Sequence, residues 1–74
     1  NSRNFEAAIP GLLRVVQAEE DHDDGYAIYH LAHCYRQTGD AENAKKYYQR
    51  MIELHPGTQR AKASQQYLDE LNRQ

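Results

Sequence analysis

The chain holds one cysteine, Cys34, in 74 residues, so no intrachain disulfide is possible and the redox compartment stays open. No apolar run approaches the roughly 20 residues that a membrane-spanning helix needs, and no signal peptide is visible. Basic charge is not in excess. Lys and Arg number 9 against 11 Asp and Glu, a net charge of −2, and Lys45-Lys46 is the only adjacent basic pair. That argues against nucleic acid as the main partner, because phosphate binding needs a basic patch. Alternation of apolar and polar residues never persists, so no strand is expected. A chain this short makes one small domain that buries only about 60% of its unfolded surface. It begins at Asn1 rather than Met, so it is expected to be a piece of something longer.

The chain is rich in helical periodicity. Phe5, Ala8, Ile9, Leu12, Leu13, Val15 and Val16 recur at spacings of three and four, with Asn4 placed to cap the segment. Pro10 removes one backbone hydrogen bond, so a kink or a later start is expected there, and Gly11 weakens the segment further. Glu19-Glu20-Asp21-His22-Asp23-Asp24 has no periodicity and reads as an acidic loop, with Asp23 or Asp24 able to cap the next helix. From Gly25 to Thr38 the stripe Ile28, Leu31, Ala32, Tyr35 marks a second helix, flanked by Ala27 and Cys34. Gly39 suits a left-handed helix end and Asp40 the next cap. A third helix, Ala41 to His55, presents Ala44, Tyr48, Met51 and Ile52. Pro56-Gly57 ends it, and Thr58 caps a fourth over 59–72, whose thin stripe is Ala61, Ser64, Leu68 and Leu71 with Tyr67 beside it. The expected fold is all-α, an antiparallel helix-turn-helix stack of four helices in one domain spanning 1–74.

The segments repeat. Asn4 to Ile9 aligns with Asp40 to Lys45, and both Ala8 to Ala44 and Leu12 to Tyr48 are offset by 36 residues. A period of this size points to stacked helix pairs. Ile28-x-x-Leu31-Ala32-x-x-Tyr35, then Ala44-x-x-x-Tyr48 and Pro56, resembles a tetratricopeptide repeat, with Ile28 in place of the family's Trp and Ala32 in place of its Gly. Met51 stands where the family has a small residue, so a looser contact is expected there. The resemblance covers 25–58 as a complete repeat. Residues 4–20 resemble the second helix of an incomplete repeat, and 59–72 a polar capping helix, together the C-terminal end of an array.

The resemblance implies a protein-interaction scaffold whose first helix lines a concave, partner-binding face. By similarity that face carries Tyr26, Tyr29, His33, Arg36 and Gln37, residue types favoured at binding hot spots. The competing expectation for Tyr26 and Tyr29 is partial burial against neighbouring helices. Family members that clamp a C-terminal carboxylate use Lys and Asn on this surface. Tyr29 and His33 stand here instead, so that activity is not implied.

Sharper chemistry finds little support. His30, His33 and Cys34 are spaced to meet in pairs on one helix, but nothing completes a zinc set of three or four ligands. The ordinary reading is a buried thiol beside two solvated histidines. The acidic loop lacks the spacing and Gly turn of a calcium loop. Neither Cys34 nor Ser64 has the activated surroundings of a nucleophile, so no enzyme, metal or other cofactor is expected. An alternative function is structural: the first helix has more apolar surface than one neighbour can cover, which favours self-association, and a dimer is expected.

Overall fold

The computed structural model describes residues 2–17 and 25–73. The acidic run 19–24, with its two candidate caps, lies outside the described residues. The described residues form four helices in chain order: α1 (Ser2–Gln17), α2 (Tyr26–Gln37), α3 (Ala41–Leu54) and α4 (Gln59–Asn72). Each packs against its neighbour in sequence, while α2 and α4 touch only narrowly. This is an all-α helical-repeat stack.

The two tight turns are built from hydrogen bonds that serve both flanking helices. At the end of α2, Gly39 takes φ 86°. Its N–H donates to the Arg36 carbonyl at 3.2 Å, and the Asp40 N–H donates to the Tyr35 carbonyl at 2.9 Å. That pair of bonds is a Schellman motif, which satisfies carbonyls a helix end leaves free. Asp40 then turns round as the cap of α3, where its Oδ1 accepts from the Asn43 N–H at 3.2 Å and its Oδ2 from the Asn43 side-chain amide at 2.7 Å. Thr58 acts in the same double way. Its hydroxyl donates to the His55 carbonyl at 2.9 Å and accepts from the Ala61 N–H at 3.1 Å.

The start of the chain differs from the sequence reading. α1 begins at Ser2, so Asn4 lies inside it rather than capping it, and the helix runs through Pro10 instead of starting after it. Pro10 is exposed. The cap residue of α2 is Gly25, at φ 84°, with no side-chain capping bond.

The core is formed by Leu31, Ala32, Ala44, Tyr48 and Met51, all fully buried, with Ile28, Ala27, Tyr47, Val16 and Leu71 around them. Tyr47 was no part of the expected stripe, whereas Ile52 is only half-buried. Tyr47 is drawn in by stacking on Tyr35, with centroids 5.7 Å apart and planes 13° from parallel. Met51 is not loosely held. A Cβ at Gly25 would fall 2.7 Å from Met51 Cε and from His55 Cδ2, so the missing side chain at 25 is the space that Met51 occupies. The larger residue is accommodated by a glycine on the facing helix start, which keeps the packing dense.

Candidate functional site

The contacts between α2 and α4 run in register. Arg60 lies over the Tyr26 ring at 5.2 Å, and Arg36 lies over the Tyr67 ring at 4.4 Å. Low numbers meet low numbers, so the two helices run parallel and these side chains bridge them. Cation–π contacts of this kind contribute about 0.5–2 kcal/mol each, more where water is excluded.

Each sequence-selected residue has a definite place. Tyr26 is 44% exposed, and its ring meets the His30 edge at 4.3 Å. Tyr29 is half-buried between Tyr48 at 6.1 Å and Tyr67 at 6.5 Å. Tyr67 in turn stacks on Tyr48 at 5.3 Å. Arg36 is half-buried against that same ring, and Gln37 is exposed. His33 faces the opposite neighbour, with its ring against Phe5 of α1 at 5.7 Å. The structure therefore brings Tyr29 and Arg36 together, joins Tyr26 to α4, and ties His33 to α1. Tyr67 and Arg60 belong to the same face although they were not among the selected residues. Their signal was the seven-residue spacing, two helical turns, which puts both on one side of α4.

Electrostatics follow from this packing. Burial raises the Tyr29 phenol, helped by the neighbouring Tyr67, while Arg36 and Arg60 pull it back down. Burial lowers the His33 imidazole, with Arg36 and His30 adding to the effect. Burial is also the main cause that raises the Tyr48 phenol, against the pull of Arg36. The Tyr48 hydroxyl and Arg36 Nε are both sealed from solvent, yet neither has a hydrogen-bond partner among the described residues. Arg36 nevertheless pulls the Tyr48 phenol down both through its charge and through a close side-chain approach that falls just short of full hydrogen-bond geometry. Beside Arg36 lies a cavity of about 110 Å³, lined also by Gly39, Ala41, Tyr67, Glu70 and Leu71.

The His30, His33 and Cys34 cluster separates. Cys34 is buried, and burial raises its thiol pKa, which disfavours the reactive thiolate. The two histidines are half-buried against Tyr26 and Phe5 rather than solvated. Among the described residues no three His, Cys, Asp or Glu side chains are placed to hold a metal. Nor is any described helix long and apolar enough to cross a membrane.

Helices packed each on the next around a core that includes the small, fully buried Ala32 and Ala44 define a helical-repeat protein. Residues 26–58 match the model of the tetratricopeptide repeat, and that stretch of the chain is one such repeat. No curated protein and no solved structure was found to match the chain. Repeats of this family in general mediate protein–protein interaction and are typically scaffolds rather than enzymes.

Proposed function

We propose that the chain binds a peptide or partner segment along α2 at Tyr26, Tyr29, Arg36 and Gln37, with His33, the fifth residue expected on that face, packed instead against Phe5 of α1. This reading takes the face between α2 and α4 as a shallow groove, and the observation that carries it is the set of ring and guanidinium contacts joining the two helices. The groove's walls are rigid helices, and aromatic and guanidinium side chains line it at partial exposure. Half-exposed Tyr and Arg on a fixed backbone give contact area with little entropy left to lose. In this reading residues 59–72 cap an array of which 25–58 is a complete repeat and 4–20 the second helix of an incomplete one.

A test uses displayed twelve-residue peptides selected on the whole chain, with NMR mapping of the selected ones. Shifts concentrated on α2, with affinity lost in Tyr26→Ala and Gln37→Ala at unchanged melting temperature, support the reading. Selected peptides that map to α1 or α3 refute it. Tyr29 and Arg36 are poorer first probes, because both also pack on Tyr67.

One observation favours a second reading, self-association. Among the described helices α1 packs only against α2, and Phe5, Ile9, Leu12, Leu13 and Val15 along it are only partly buried, although the last four pack against the core. A second copy covering that strip makes a dimer. A strictly monomeric mass in light scattering at high micromolar concentration refutes this.

A further inference from the structure

The groove leaves the partner's chemistry open, and Arg36 narrows it. α2 carries no Asp or Glu over its whole length. On α4, Arg60 lies close enough to Tyr29 to pull its phenol pKa down, as Arg36 does from the other side. Arg36 packs against the Tyr67 ring at 4.4 Å, its Nε is sealed off without a partner in full hydrogen-bond geometry, and it makes no ion pair among the described residues. Its terminal amino groups are not sealed, and the side chain borders the cavity shared with Tyr67 and Leu71. A guanidinium already confined against a ring loses less freedom on binding than a free one, and its natural complement is a carboxylate taken by two N–H donors at once. Glu70 lines the same cavity but does not pair with Arg36, so it repels an incoming anion without neutralising the site.

Resting on the groove reading above, we propose that the partner segment is acidic, and that a carboxylate side chain of it pairs end-on with Arg36 while its flanking residues lie on Tyr29 and Tyr67. This recognition sits at 36 and 67, not at positions 29 and 33, where the family's terminal-carboxylate clamps carry their Lys and Asn.

The probe is a capped hexapeptide alternating Glu and Leu, compared with the same peptide carrying Gln for Glu, titrated into the whole chain by NMR and calorimetry. The Glu peptide binds, shifting the Arg36 side-chain and Tyr67 ring signals, and weakens as salt rises from about 0.05 to about 0.3 M. Arg36→Gln weakens it about tenfold or more, and Arg36→Lys, which keeps charge but loses the fork, falls between. Glu70→Gln, an exposed position, tightens it about two- to fivefold by removing the repulsion. Melting curves of each variant confirm that it is folded, and Glu70→Gln stands as the test if the Arg36 variants are not. Equal affinity for the two peptides overturns carboxylate recognition and leaves the groove reading standing. No binding of either, unchanged affinity in a folded Arg36→Gln, or weaker binding in Glu70→Gln also overturns the proposal. The groove reading is then judged by the displayed peptides.

Discussion

Tyr48→Phe removes one oxygen from the centre of the molecule and leaves the ring in place. That oxygen is fully buried and has no hydrogen-bond partner among the described residues. The ring keeps its stack on Tyr67 at 5.3 Å and its edge contact with Tyr29 at 6.1 Å. Leaving a buried hydroxyl unpaired costs about 1–3 kcal/mol, and nothing is given up in apolar contact when it goes. Arg36 offsets part of this gain, since its charge favours the phenol oxygen. The expected net is a stabilisation of about 1 kcal/mol, or about 4–8 °C in melting temperature for a chain of this size. Far-UV circular dichroism melts at one fixed concentration measure it, with a urea titration to check that the m-value is unchanged. The alkaline limb supplies a second readout. The folded Tyr48 pKa is raised above the unfolded value of about 10, so the folded state binds more protons above that pH and stability is lost as pH rises. The wild-type chain therefore loses stability above about pH 10, and Tyr48→Phe flattens part of that slope, the raised Tyr29 and Tyr35 keeping the rest. A Tyr48→Phe chain less stable than wild type by about 1 kcal/mol or more refutes the reasoning, because the hydroxyl then makes a bond that holds the core together.

Other outcomes rest on the same packing. Ser64→Ala removes a second buried, unpartnered hydroxyl and is expected to be neutral or stabilising by up to about 1 kcal/mol in the same melts. Gly25→Ala adds a Cβ at φ 84° into the space of Met51 and His55, and is expected to destabilise by about 2–4 kcal/mol; Met51→Ala in the same chain should recover the overlap part and not the backbone part, measured as a double-mutant cycle. Burial holds the His33 pKa below its unfolded value of about 6.5, so the unfolded state binds the extra proton and stability falls as pH drops below that value. Urea midpoints between about pH 7 and pH 5 check the sign, and His33→Phe, with its ring still able to meet Phe5, should flatten the slope. Pro10→Ala restores a backbone donor inside α1 and is expected to slow amide exchange there, by up to about 3 kcal/mol of local stability.

Helix number, the turn residues Gly39, Asp40 and Thr58, and most of the inner stripes were legible in the sequence, because they depend on local chemistry. A 3.6-residue period, a positive φ and a capping oxygen are properties of a few consecutive residues. The start of α1 was misplaced for the same reason. Asn4 is a good cap by type, but here the helix begins at Ser2, and type alone does not say which of several polar residues ends it.

The sequence by itself determined an all-α stack with a 36-residue period and a repeat over 26–58. Tertiary structure alone decided the rest. Met51 fits because Gly25, 26 positions earlier, faces it without a side chain. Tyr47 is buried because Tyr35 on the other helix stacks on it. The face of α2 is joined to α4 because Tyr67 and Arg60, more than 30 residues downstream of Tyr29 and Tyr26, come to lie beside it. Periodicity reports which side of each helix is apolar, but not which partner that side meets. Packing of one particular pair of surfaces settles the partner, and with it the fate of every polar atom at their edge.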